Sequence, residues 1–166
     1  MRRWETEKVP VVIVLDNIRS LFNVGAIFRT ADAFRIRSIF LCGITATPPH
    51  REIHKTALGA TESVEWKYFK EVSEALKILK QEGYKIYAIE QADKSTKIND
   101  WAIDKGDKLA IIFGNEVRGV SEEVLPLVDS CIEIPQYGTK HSLNVSVSAG
   151  IIIWKVFDTL KDKIIS

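Results

Sequence analysis

A chain of 166 residues, 46% hydrophobic and 27% charged, has the length and composition of one folded domain with a sizeable core. Its formal charge of +1 excludes a strong attractive field over the whole molecule, so any nucleic acid must be held by a local basic patch. Cys42 and Cys131 lie far apart inside apolar runs and form no CxxC, which favours two reduced, buried thiols over a disulfide framework or metal site.

Short runs rich in Val, Ile and aromatics predict strands at Val11 to Leu15, Ser38 to Cys42, Val64 to Phe69, Lys85 to Ile89, Leu109 to Phe113 and Cys131 to Ile134. Their unbroken apolar character suits strands covered on both faces. Helical spacing of apolar residues intervenes at about Val24 to Ala33, Val72 to Glu82, Glu122 to Leu127 and Leu143 to Leu160. That alternation predicts an α/β fold with a mostly parallel sheet flanked by helices. No linker, repeat or hinge divides residues 1–166, so a single domain is expected, and its long unpatterned stretches are Gly43 to Ala60 and Gln91 to Gly106. No cleavable leader pattern opens the chain. The longest apolar stretch, around Ile151 to Trp154, is too short to cross a bilayer, so a cytoplasmic protein with no membrane partner is expected.

The last predicted helix is apolar on more than one face, through Val145, Val147, Ile151, Ile152, Ile153, Trp154, Val156 and Phe157. A one-sided surface helix has no need of this. Ser146, Ser148, Ala149 and Gly150 would let another backbone come close, so burial between the sheet and a second copy is expected, giving a homodimer.

Three polar segments stand where apolar runs end, which is where open α/β sheets bind ligands. Asn23-Val24-Gly25-Ala26-Ile27-Phe28-Arg29-Thr30-Ala31 places Asn23 at an expected helix start, with an N-cap as its plain role, and puts Arg29 within reach of an anionic group. Gly114-Asn115-Glu116-Val117-Arg118-Gly119 follows the Leu109 to Phe113 run; its glycines would let a ligand lie against the backbone, and a tight turn with a solvated Glu116 is the plain alternative. Ser142-Leu143-Asn144-Val145-Ser146 opens the terminal helix. Ser142 is a natural N-cap there, whereas Asn144 in the first turn of an apolar helix calls for a partner.

In this order, NxGAxxRTA, GxExxG, then Ile134-Pro135 followed by SLNVS, the chain resembles the SpoU (TrmH-like) branch of the SPOUT RNA methyltransferases over nearly its whole length. The resemblance implies transfer of a methyl group from S-adenosylmethionine (AdoMet) to a ribose 2′-hydroxyl of tRNA or rRNA, by a homodimer with a deep C-terminal trefoil knot. It places AdoMet near Glu90, Gly114, Ile134, Gln136, Ser142 and Leu143, and maps Arg29, Asn23, Glu116, Ser142 and Asn144 onto active-site positions. Gln136 stands where methionine is common in that family. No separate RNA-binding domain is expected, which leaves target selection to the core fold or its dimer.

Cationic residues for RNA are scattered: Pro48-Pro49-His50-Arg51-Glu52-Ile53-His54-Lys55 forms a mixed basic loop, with Arg2, Arg3, Trp4, Lys8, Arg35, Arg37 and Lys140 elsewhere. His50 and His54 lack a third ligand and do not match HExxH, so no metal is expected. Neither a strand-following GxGxxG nor a GxxxxGK[ST] loop is present, which disfavours a dinucleotide or nucleotide enzyme of Rossmann type. The remaining alternative is a catalytically silent RNA-binding module with the same fold.

Overall fold

The computed structural model describes residues 7–139 and 142–164. Seven strands, β1 (Val9–Asp16), β2 (Ile36–Cys42), β3 (Glu65–Phe69), β4 (Lys85–Ile89), β5 (Thr96–Lys97), β6 (Leu109–Phe113) and β7 (Ser130–Glu133), form one sheet in the order β3-β2-β1-β6-β4-β7-β5. All of its pairings are parallel. Among the described residues five α-helices accompany it: α1 (Leu21–Ala33), α2 (Arg51–Ala57), α3 (Ala60–Ser63), α4 (Val72–Gln81) and α5 (Val145–Leu160).

The period-2 geometry of a strand divides β1 between two cores. Val9, Val11, Ile13 and Leu15 pack with Val24, Ile27 and Phe28 of α1 and Ile152, Ile153 and Val156 of α5. Val12 and Val14 face the opposite layer, with Ala75, Leu76 and Leu79 of α4. Burial on both faces explains why these strands read as continuous apolar runs. The result is a three-layer sandwich whose parallel strands all end at one edge.

The six predicted strands are present, with small shifts of boundary. β5 went unseen because a two-residue Thr-Lys strand carries no apolar pattern; it exists through its pairing with β7. The stretch from Gly43 to Ala60, read as unpatterned, contains α2, too short for a periodic signal with only Ile53 and Ala57 buried. The Glu122 to Leu127 segment is a 3-10 helix, with Pro126 inside it.

Both helix starts near the polar segments also differ from expectation. α1 begins at Leu21 with Ser20 as its N-cap, whose hydroxyl accepts from the backbone N–H of Asn23, so Asn23 is not the cap. α5 is capped by Asn144 rather than Ser142. On α5, Ala149, Ile152, Ile153 and Val156 enter the core, while Val147, Ile151 and Trp154 form an exposed stripe at i, i+4 and i+7. Arg2, Arg3, Trp4, Lys140 and His141 lie outside the described residues.

Candidate functional site

Four strands, β1, β6, β4 and β7, lie side by side and deliver Asp16, Phe113, Ile89 and Glu133 to the same edge. The direction of chain progression reverses between β1 and β6, the place where such sheets open a ligand crevice.

The loop after β6 is a closed, clasped structure. Asn115 and Gly119 exchange backbone hydrogen bonds of 2.9 and 2.8 Å, and the Asn115 Oδ1 accepts from the N–H groups of Val117 and Arg118. Its amide Nδ2 donates to the Asn17 carbonyl at 2.7 Å. Glu116 reaches the same neighbouring loop: its carboxylate accepts from Arg19 N–H at 2.8 Å and Ser20 N–H at 2.9 Å. On the far side, Glu90 Oε2 accepts from Val120 N–H and Asp16 Oδ2 from Ser121 N–H, each at 2.8 Å. Asp16 is 1% exposed, so this carboxylate is committed to holding the loop.

This network adds a structural role to two of the expected site residues. Glu116 is exposed, yet its carboxylate is not idle in solvent: it fastens the Gly114–Gly119 loop to the start of α1. Gly114 is required by the protein's own backbone: a Cβ there would sit 2.2 Å from Gly119 C and from Val120 N. Gly25 likewise makes room for α2, since its Cβ would meet the Ile53 carbonyl oxygen at 2.4 Å and the Thr56 hydroxyl. Asp16, Asn17 and Asn115 were overlooked as site residues. A polar Asp16-Asn17 pair directly after an apolar run was the available signal.

Beside this loop lies a cleft of about 610 Å³. Glu90, Gly114, Ile134, Gln136, Ser142 and Leu143, the whole group expected to bind the cofactor, line it. Of the expected catalytic set, Glu116, Ser142 and Asn144 line it as well; Asn23 and Arg29 do not. Asn144 has its partner within the protein, since its Oδ1 accepts from Ser146 N–H at 2.8 Å and from the Ser146 hydroxyl at 2.6 Å. An external contact is therefore not needed to account for an amide at that position. Asn23 is 3% exposed and its Oδ1 is buried without a hydrogen-bond partner among the described residues. Arg29 is exposed on α1.

The thiols stand apart from this chemistry. Burial, with the carboxylates of Asp16 and Glu74 adding to it, pushes Cys42 up to about 12, and burial raises the half-buried Cys131 as well. Both are free. Among the described residues no cluster of three His, Cys, Asp or Glu side chains is disposed to hold a metal, and no helix is long and apolar enough to cross a membrane.

The model of the SpoU rRNA methylase family matches residues 10–154, a span that includes all three polar segments and every strand but the first residue of β1. The chain belongs to the SpoU rRNA methylase family. It is 32% identical over 145 residues to a tRNA (guanosine(18)-2′-O)-methyltransferase of Thermus thermophilus, covering 87% of this chain and 73% of that protein. It is 31% identical over 144 residues to the 23S rRNA (guanosine-2′-O-)-methyltransferase RlmB of Neisseria meningitidis, covering 87% of this chain and 56% of that one. Among solved structures, the SpoU methyltransferase AviRb of Streptomyces viridochromogenes, in complex with AdoMet, superposes with a TM-score of 0.82 at 19% identity, over 92% of this chain and 62% of that chain. This last likeness is one of fold. The SpoU family thus accounts for the parallel sheet and for the three segments gathered at its edge.

Proposed function

We propose that this SpoU-family chain transfers a methyl group from AdoMet to a ribose 2′-hydroxyl of tRNA or rRNA, as a cytoplasmic homodimer whose C-terminal part forms a deep trefoil knot. The observation that carries the reading is the single cleft in which the six expected cofactor residues meet Glu116 and Asn144. The lining has the right chemistry for AdoMet: Ile134, Leu143 and Val145 offer apolar surface to an adenine ring, and the Asn115 to Gly119 backbone with Glu90 offers polar partners. When bound, AdoMet supplies an electrophilic methyl group and leaves as a neutral thioether. The protein's task is then to orient the hydroxyl and to accommodate the proton and charge it sheds.

Arg29 is the residue assigned to that charge. A guanidinium is a standing cation with five donors and no acceptor, so Arg29 acts as stabiliser of the developing alkoxide and of an adjoining phosphate rather than as a base. Glu116 positions the start of the Arg29 helix through Arg19 and Ser20. Ser142 and Asn144 shape the cleft wall at the start of α5, and Asn23 supports the first turns of α1. Because Arg29 lies outside the cleft of its own chain, a composite site made by two protomers is the arrangement in which it acts. The exposed Val147, Ile151 and Trp154 stripe supports the homodimer. For the knot, the support is topological: β6 inserts between β1 and β4, and β7 between β4 and β5, strands that all precede it in the chain.

Relatives of both kinds, one acting on tRNA and one on 23S rRNA, leave both RNA classes open to test. No observation favours a silent RNA-binding module. The test is incubation with labelled AdoMet and separate pools of unmodified tRNA and rRNA, followed by digestion and mass spectrometry of the nucleosides. A 2′-O-methyl nucleoside that disappears with Arg29→Ala supports the reading. Absence of transfer to either pool by a protein that binds AdoMet refutes it.

A further inference from the structure

The basic residues that seemed scattered in sequence are sorted by the fold. Lys8 gives its ammonium to the Ser63 carbonyl, and Arg37 bonds the Tyr84 hydroxyl. Lys85, Lys105 and Lys161 are paired with Asp107, Asp162 and Asp158. α2 behaves differently. Its Ile53 and Ala57 are buried against α1, and helical spacing turns Arg51, His54 and Lys55 outward on one face. Together with Pro49 and His50 these three line an open hollow, with no carboxylate in its lining. Arg51 and His54 have no ion-pair partner among the described residues, and Lys55 has only an exposed pair with Glu52 at 3.1 Å, which competes weakly. His50 uses Nδ1 to accept from Glu52 N–H, which leaves Nε2 for an outside partner.

The hollow is rigidly tied to the helix that carries Arg29. Gly25 allows the α2 backbone to touch α1, and the Thr56 hydroxyl donates to the Phe22 carbonyl at 3.1 Å. Phe22 itself, on the helix against which α2 packs, is 61% exposed. Cations in a hollow without carboxylates suit phosphates. In a molecule of net charge +1, such a local grouping is the means by which a polyanion can be held.

We infer that the outward face of α2 and its hollow are a docking site for the phosphodiester backbone of the RNA substrate, outside the AdoMet cleft. The inference rests on the proposed activity for the identity of the polymer. It is tested by direct binding of a transcribed, unmodified tRNA pool and of rRNA fragments, measured by fluorescence anisotropy across a potassium chloride series. The variants are Arg51→Ala, Arg51→Lys and His54→Ala, with Lys77→Ala on α4, in the opposite layer, as the charge-matched control. AdoMet titration checks that each variant retains a native cleft.

Arg51→Ala is expected to weaken RNA binding roughly five- to tenfold at low salt and to reduce the slope of log Kd against log salt by about 0.7 to 0.9. Arg51→Lys restores most of both effects, and Lys77→Ala changes neither. Unchanged affinity and slope for both Arg51→Ala and His54→Ala overturn the docking site. So does displacement of RNA by poly-glutamate as efficient as by RNA itself, which identifies a surface for an acidic protein. RNA binding that depends on Arg51 without any methyl transfer by the unaltered protein supports the docking site while refuting the proposed activity.

Discussion

Replacing Gly114 by alanine tests whether the clasped loop is what shapes the cleft. The added Cβ would stand 2.2 Å from Gly119 C and Val120 N and 2.5 Å from the Gly119 oxygen, all backbone atoms. Carbon contacts are comfortable at about 3.5 to 4.0 Å, so the opposing strand of the loop must retreat by about 1 Å or more. The bonds that resist are the reciprocal Asn115–Gly119 pair at 2.9 and 2.8 Å and the Val120–Glu90 bond at 2.8 Å. Lengthened by that much, they leave hydrogen-bonding range. With each worth about 0.5 to 1.5 kcal/mol net, three lost bonds amount to roughly 1.5 to 4.5 kcal/mol. Because the displaced atoms are cleft wall, much of this cost is borne by ligand binding, and AdoMet affinity should fall by at least about tenfold. Isothermal titration with AdoMet measures that loss, and thermal unfolding measures the part that appears as stability. Wild-type affinity together with an unchanged Tm would refute the argument that Gly114 exists to admit the Gly119–Val120 backbone.

Arg29→Ala should lower turnover by roughly 10²- to 10³-fold, the cost of removing one stabiliser of developing charge, while AdoMet affinity stays near that of the parent. A composite site makes a sharper demand. Mixing inactive Arg29→Ala with inactive Gly114→Trp should restore about a quarter of parental activity, since about half the dimers are hybrids and each has one intact site; no recovery would place Arg29 and the cleft of one chain in the same site. Trp154→Glu on the exposed α5 stripe should yield monomers by light scattering, and a dimer that persists unchanged would exclude that stripe as the interface. The folded state keeps Cys42 neutral up to about pH 12, above the ordinary thiol value of 9.0, so it binds more protons than the unfolded state in between. The stability Cys42 contributes is complete below that lower value and declines as pH rises toward the upper one. Denaturant unfolding of parent and Cys42→Ala should therefore show a gap that narrows between about pH 8 and pH 10.5; a constant gap would refute it.

The elements that carry the fold announced themselves locally. β-branched runs long enough to fill both sides of a sheet marked the major strands, and 3.6-residue spacing marked α1, α4 and α5. Elements without an intrinsic pattern stayed hidden. β5 is two residues recruited by β7, and α2 is a seven-residue helix stabilised by the absence of a side chain at Gly25. Cap positions were also misjudged, because Ser20 and Asn23, or Ser142 and Asn144, are equally good capping residues and only the geometry of the preceding loop selects between them.

The candidate site divides along the same line. Sequence contributed the motifs whose family resemblance names six cofactor positions, and all six line one cleft because the parallel strands end at one edge. Tertiary structure alone decided what several polar groups do there. Glu116, Glu90, Asp16 and Asn115 spend their hydrogen bonds on one another's loops, across separations of up to 105 residues. Local pattern carries no information on such pairings, because their energy depends on positions that exist only after β6 has entered the sheet between β1 and β4.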